Sequence, residues 1–439
     1  MTLRLPSLAP FRHGDFTRFW AMRACGTLAV QIQATTLGWQ VYELARDAGR
    51  SVTESAFLLG VVGLLQFLPL LVLSPFGGQA ADRWNRKAIL LAYHFVKAAT
   101  ALWLVSSAAF GDESAIVAVF AAAVVVGAIN AFAPSASQAM LPTLLPREEL
   151  PQAIALSSLA FSTASVVGPA VAGAAIALGE TAGGLGAQFA YGLTVLFCLA
   201  AFILCLTIRP PAQTPIADAK AVTLILEGLA YTWRNKIVLG AISLDLVAVL
   251  LAGATALLPV YARDILHVGP DGLGLMRAAP AAGAALVAIV LAATPLRRRV
   301  GQWMFASVGV FGVSTLAFGV SEIFWLSLSL LVIIGASDMV SVYVRSALIQ
   351  LSTPDNMRGR VSATSFIFIS ASNELGEFQS GVFARLFGPV GAVVVGGIGA
   401  VACAGLWIKL FPALWRMNRF EDATAYGEAL AETPLHRPV

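Results

Sequence analysis

Twelve apolar stretches, each about long enough to cross the ~30 Å hydrocarbon core of a bilayer as a helix, follow one another along this chain, separated by short polar breaks and, between the sixth and seventh, by a long one. They lie near Phe19–Leu44, Ala56–Gln79, Ala88–Phe110, Ala115–Leu141, Ala153–Leu178 and Ala187–Ile208, then near Ile237–Tyr261, Leu273–Leu296, Met304–Val320, Ile323–Leu351, Val361–Phe387 and Val390–Phe411. In hydrocarbon every backbone N–H and C=O must be bonded internally, which leaves helices and closed barrels. The alternating strands of ~10 residues that build a barrel are absent, so the chain is expected to be an all-α integral membrane protein with twelve transmembrane helices. Composition agrees: 12% of residues are charged, about half the share that a water-facing surface carries.

The same composition excludes several classes. Cys25, Cys198, Cys205 and Cys403 all sit in apolar stretches, with no CxxC pair and no histidine at ligand spacing, so neither a metal site nor a disulfide framework is expected. Net charge is +4, but the basic residues are split among loops and do not form a nucleic-acid surface. The first 18 residues are polar and include Arg4, Arg12, His13 and Arg18, unlike a cleavable signal peptide.

Loop cations orient the spans. If the N-terminus is cytoplasmic, twenty Lys and Arg from Arg4 to Arg437, including Lys220, fall on that side, against Arg46, Arg50 and Arg263 on the other. Both termini are therefore expected in the cytoplasm. The longest polar break, Arg209–Lys236, opens with Pro210, Pro211 and Pro215. It continues from Asp218 with Val222, Ile225, Leu226, Leu229 and Tyr231 at helical spacing, as in an amphipathic helix on the membrane face. The expected organisation is a six-helix bundle over residues 1–208, a linker over 209–236, a second bundle over 237–412 and a cytoplasmic tail over 413–439. Shifting the sequence by 208 positions superposes Pro146 on Pro354, Gly168 on Gly376 and Gly173 on Gly381. The two bundles are thus expected to be pseudo-symmetric repeats around a central cavity, as in one large class of secondary transporter.

Three motifs carry a family resemblance. The break between the second and third spans reads Gly78-Gln79-Ala80-Ala81-Asp82-Arg83-Trp84-Asn85-Arg86-Lys87 and resembles the signature loop of the major facilitator superfamily. Asn85 replaces that loop's second glycine but tolerates left-handed backbone. An aspartate here can cap a helix N-terminus while arginines hold helix ends. The resemblance implies that Gly78, Asp82, Arg83 and Arg86 latch the two halves in the outward-facing state. Gly168-Pro169-Ala170-Val171-Ala172-Gly173 in the fifth span looks like the glycine-proline motif of the drug/proton antiporter branch, with Ala172 in place of a frequent glycine. Small residues there allow close helix approach, and the proline bends the span. Finally, Arg345–Gln350, Thr353–Ala363 and Asn373–Phe378 resemble the enterobactin and siderophore exporter group. The resemblance covers all twelve spans and leaves out the extreme N-terminus and the tail after Arg416. It implies the major facilitator fold, proton-coupled export of a small organic compound, no cofactor, a bacterial cytoplasmic (inner) membrane and a monomer.

Each charge inside a span costs at least ~2.5–3.5 kcal/mol and asks for a reason. Asp245 lies in the seventh span, Asp338 and Arg345 in the tenth, Glu374 and Glu377 in the eleventh. Asp245 and Arg345 each lie roughly 10–12 Å from the cytoplasmic ends of their helices at 1.5 Å per residue, a match in depth that permits an ion pair, structural or broken in transport. Glu374 and Glu377 share one helix face. Two neighbouring carboxylates in low dielectric do not both ionise cheaply, which is what a proton carrier needs; the alternative is a permanent pair between one of them and Arg385. Asp245, Asp338, Arg345, Glu374 and Glu377 are the candidate proton and substrate coupling residues. Arg23, Gln33 and Gln40 of the first span are candidate cavity-lining groups; the two glutamines, seven apart, alternatively make a helix–helix hydrogen bond. His94 and Lys97 are expected to contact the loop or reach the headgroups, and Arg277 to lie near the outer surface. No HExxH, GxSxG or GxxxxGK[ST] occurs, so neither an intramembrane enzyme nor an ATP-driven pump is indicated. An importer of the same fold or a non-transporting sensor remains the alternative.

Overall fold

The structure, a computed structural model, describes residues 8–107, 112–211 and 221–432. Arg4, Lys220 and Arg437 of the orientation count, and Pro215 and Asp218 of the linker, lie outside them, as does Phe110 at the expected end of the third span. The helices in chain order are α1 (Gly14–Asp47), α2 (Val52–Arg83), α3 (Arg86–Ser107), α4 (Asp112–Asn130), α5 (Ala133–Met140), α6 (Leu150–Thr181) and α7 (Gly186–Thr207). After the linker helix α8 (Ala221–Arg234) come α9 (Lys236–Leu251), the short α10 (Leu258–Val260), α11 (Gly269–Ala293), α12 (Val300–Gly319), α13 (Phe324–Leu351), α14 (Asp355–Leu410), α15 (Pro412–Trp415) and α16 (Phe420–Glu432).

Ten of the described segments are long and apolar enough to cross a bilayer. The 34-residue α1 adds an eleventh. The 56-residue α14 divides at Gly388, whose φ of 75° and ψ of 163° interrupt the helical path before Pro389, which completes the twelve. Breaks inside spans have local causes. The fourth span changes from α4 to α5 next to Pro134. The seventh stops at Leu251 and resumes as 3₁₀ and π turns through Ile265. At that break the Ser380 hydroxyl of α14 donates to the Gly253 carbonyl at 3.1 Å, satisfying a group that hydrocarbon leaves bare. A capping box starts α2: Ser51 Oγ accepts from the Glu54 N–H at 3.2 Å and Glu54 Oε2 accepts from the Ser51 N–H at 3.0 Å.

The 208-residue repeat has a structural counterpart. Pro146 and Pro354 precede their helical segments with nearly equal backbone angles, φ −58° and ψ 149° against φ −57° and ψ 150°. A Cβ built on Gly168 would meet Gln31 of the first span at 2.5 Å, and one on Gly376 would meet the Val249 carbonyl of the seventh at 3.2 Å. Five residues on, a Cβ on Gly173 would lie 2.9 Å from the Cα of Gly274 in α11, and one on Gly381 2.8 Å from the Cα of Gly60 in α2. Equivalent glycines therefore pack against equivalent partners, and the crossings α6–α11 and α2–α14 bring the chain's two halves into backbone contact. Both lie toward the end of the molecule away from the termini. Gly396 and Gly397 likewise press on the backbone of Leu251 and Leu316.

At the terminus-bearing end α8 does not lie free on the surface. A Cβ on Gly228 would meet the Arg360 carbonyl at 2.5 Å, Arg360 pairs with Glu227, and the Tyr231 hydroxyl donates to the Ser352 carbonyl at 2.6 Å. The tail also folds back: Val300 and Gly301 N–H groups donate to the Asn418 and Met417 carbonyls, and Leu414, Met417 and Ala423 are buried. Gly381→Leu should force α2 and α14 apart and lower the stability of the purified protein by about 1–3 kcal/mol, measured as a drop in its unfolding temperature; an unchanged melting curve would contradict the crossing.

Candidate transport site

The two glutamates of α14 lie where four spans meet. Glu377 packs on Gly63 of α2, with its Oε2 2.9 Å from a Cβ built on that glycine, and the Glu374 carbonyl lies 3.3 Å from the same point. From the other side Arg277 of α11 reaches α1, its Nη2 3.4 Å from a Cβ on Gly38, and acts electrostatically on Glu377. Among the described residues neither carboxylate has a hydrogen-bond or ion-pair partner, and the buried Nε of Arg277 has no acceptor. Arg385, the alternative partner, instead lies over the Phe57 ring at 5.1 Å. Arg277 is not near the outer surface: eight residues past the start of α11 is roughly 12 Å along the helix. Sequence reasoning did not include it in the site; that depth, counted from Gly269, was the available signal, together with Gly60 and Gly63 one turn apart on the facing helix.

Asp245, Asp338 and Arg345 form a separate group. Arg345 is 4% exposed and pairs with Asp245 across α13 and α9, the pair that their depths allow. Asp245 and Asp338 line a cleft together with Ser307, Ser337 and Ser341, enclosed by α9, α12 and α13. The five expected coupling residues thus divide between a junction of both halves and a cleft inside the second half.

In α1, Gln40 accepts a hydrogen bond from the Tyr191 hydroxyl of α7 at 2.7 Å, the helix–helix alternative. Gln33, 2% exposed, has no partner for either amide atom among the described residues. Arg23 is half-buried beside the Phe19 ring. His94 and Lys97, expected toward the loop or headgroups, are instead 3% and 1% exposed; His94 Cε1 lies 2.8 Å from a Cβ on Gly26 of α1, so α3 buries this face against α1.

The loop after α2 differs from the expectation in detail. Asn85 does not use left-handed backbone, since among the described non-glycine residues only His267 and Arg299 have positive φ. Its Oδ1 accepts from the Ala88 N–H at 3.2 Å, capping α3. Arg86 donates to the Ala81 and Ala139 carbonyls at 3.1 and 2.9 Å, and Lys87 to the Leu206 and Ile208 carbonyls at 2.8 Å each, so basic side chains close the ends of α2, α5 and α7. Asp82 and Arg83 are exposed. Gly78 has open space around it, whereas its neighbour Gly77 is pressed to the Ala131 carbonyl. Pro169 and Gly173 form the crossing with Gly274 already described.

A polar cluster at the end away from the termini joins the halves: Tyr42 and Arg46 of α1 bind Asp264, and Arg263 donates to Asp47 Oδ1 at 2.7 Å. No sequence motif marks it. Removing one partner of the buried Arg345–Asp245 pair leaves an uncompensated charge, so Arg345→Gln should destabilise the purified protein by about 3–5 kcal/mol. The double variant Asp245→Asn/Arg345→Gln should recover much of that loss in the same unfolding measurement; additive losses would contradict the pairing.

The described residues include no group of three or more His, Cys, Asp or Glu able to hold a metal. Comparison with known proteins places the architecture. A family model described as a transmembrane secretion effector matches residues 5–434, so the tail beyond Arg416, expected to fall outside the resemblance, lies largely within it. The enterobactin exporter EntS of Citrobacter koseri is 26% identical over 94% of this chain and 93% of its own, and that of Salmonella typhi is 25% identical over 95% of each. Among solved structures, a D-xylose-proton symporter aligns with a TM-score of 0.71 at 13% identity over 91% of this chain and 98% of that one. A bacterial homologue of the iron transporter ferroportin aligns at 0.70, with 14% identity over 94% and 100%. The chain is a membrane transporter rather than an enzyme, and it belongs to the transmembrane secretion effector family of the major facilitator superfamily.

Proposed function

We propose that this protein exports a small organic anion of the catecholate siderophore type across a bacterial cytoplasmic membrane, driven by inward proton movement. The observation that carries this reading is the junction of α1, α2, α11 and α14, where an unpartnered carboxylate pair faces a half-buried arginine, its Nε without an acceptor, between the two halves. Glu374 and Glu377 hold the proton; Arg277 gives the pair a charge to answer to when the proton leaves. The anion-binding cations are Arg23 and Arg277, because Asp245 already neutralises Arg345. Export in particular is supported by the family description and by the relatives' name, enterobactin exporter.

The excess of cations on the terminus-bearing side supports a cytoplasmic position for both termini. With that orientation, the bundle of residues 1–208 and the bundle of 237–412 meet at their outer ends through the glycine crossings and the Tyr42–Arg46–Asp264 cluster, a state closed to the outside and suited to loading from the cytoplasm. Rocking about those crossings, with the linker of 209–236 as tether, moves the substrate outward. The loop of Gly78, Asp82, Arg83 and Arg86 latches the opposite state, Gly168, Pro169 and Gly173 set the bend and crossing of α6, and Gln33 offers a free amide to the polar interior. The protein acts as a monomer.

The test is flux into everted membrane vesicles with an imposed pH gradient, acid inside, using a catecholate siderophore and a panel of cationic drugs. Wild type should accumulate the siderophore against its gradient, and Glu374→Gln should lose uphill accumulation by at least about tenfold, the scale of a coupling change near 1.4 kcal/mol, while remaining folded. Accumulation unaffected by collapsing the pH gradient would contradict proton coupling. Movement only in the opposite sense would identify an importer, and binding without flux a sensor.

A further inference from the structure

The cleft between α9, α12 and α13 has a feature that the transport reading does not use: it offers acceptors and no free donor. It encloses about 210 Å³ including its mouth, room for roughly one water-sized guest in its depth. Each lining hydroxyl has an acceptor within reach of its only hydrogen. Ser307 Oγ donates to the Met304 carbonyl at 2.8 Å and Ser337 Oγ to the Ile333 and Ile334 carbonyls at 2.9 Å. Ser341 Oγ lies 3.5 Å from Asp245 Oδ1 with its hydrogen toward that oxygen. The three oxygens keep only lone pairs to present to the cleft.

Charge points the same way. Arg345 is matched by Asp245, and Asp338 has, among the described residues, no hydrogen-bond or ion-pair partner and no charged neighbour acting on it. One negative charge in this cleft is thus left without a counterpart in a setting where an unpaired charge is costly. The remaining walls, Val249 and Phe311 among them, are apolar and supply neither donor nor charge. A neutral guest would leave the charge standing, and an anion would double it.

We propose that this cleft binds a small, hard monovalent cation of the sodium class, with Asp338 supplying the charge and the hydroxyl oxygens of Ser307, Ser337 and Ser341 completing an all-oxygen shell. The site lies within one bundle, apart from the Glu374–Glu377 junction, so the ion stabilises the second half and is not carried along the substrate route. Its occupancy does not depend on the protein being an exporter.

The experiment is thermal unfolding of the purified full-length chain at fixed pH and ionic strength, with sodium, lithium or choline chloride as the varied salt. Sodium and lithium should raise the unfolding temperature by roughly a few degrees in a saturable way, choline should not, and Glu374→Gln should keep the response. Asp338→Asn should abolish it, and Ser341→Ala and Ser307→Ala, gentler changes that read the site even if the aspartate variant fails to fold, should move the midpoint to higher sodium. An equal effect of choline, no sodium response in wild type, or a response retained in Asp338→Asn or unshifted in both serine variants would overturn the assignment; the first two outcomes would mean that Asp338 is neutralised by a proton alone.

Discussion

An ionised side chain within a bilayer has no water to solvate it, and the arrangement of this protein follows from where it places those charges. One pair is closed: Arg345 and Asp245 meet inside the second half and need nothing further. The other carboxylates are left open. Glu374 and Glu377 stand between the halves within reach of Arg277, and Asp338 stands in a cleft lined by hydroxyl oxygens. A charge whose cost is unmet in one state and met in another is a source of work, and an open carboxylate between two bodies that move relative to each other is positioned to supply it.

Glycine makes the placement possible. Glu377 approaches α2 only because Gly63 has no side chain, and the Arg277 guanidinium lies in ordinary contact distance of Gly38 in α1. The crossings at Gly173–Gly274 and Gly60–Gly381 set the two halves at backbone distance on either side of this group, and small residues at such crossings are how membrane helices gain contact without a hydrophobic drive. Because the two crossings occupy equivalent places in the repeat, a rocking motion about them treats the halves alike.

Much of this was legible in the residues. Span number, the duplicated plan and the depth match of Asp245 with Arg345 follow from hydropathy, an offset of 208 residues and helical rise. The remainder depends on rotation of helices about their axes, which hydropathy does not encode in spans that are apolar on every side. Hence Gln40 turned to Tyr191, His94 and Lys97 turned inward against α1, and Arg277 was underplaced although its depth could be counted. Asn85 shows a different limit: a residue able to take left-handed backbone was instead a helix cap, since the side-chain bond to the Ala88 N–H served the same turn. The break after Leu251 has no proline to announce it and is held by a hydroxyl from another span.

The central claim is that the carboxylate pair at the junction releases a proton when the organic anion's carrier cycle requires it. The most direct measurement is the proton count on binding: add a catecholate siderophore to purified protein in weakly buffered detergent solution and follow bulk pH, correcting for ligand ionisation with a protein-free control. The account predicts a net proton exchange in wild type that vanishes in Glu374→Gln/Glu377→Gln while the siderophore still binds. The same exchange in both proteins, or binding in wild type with no exchange at any pH between about 6 and 8, the range over which a physiological carrier must titrate, would contradict it.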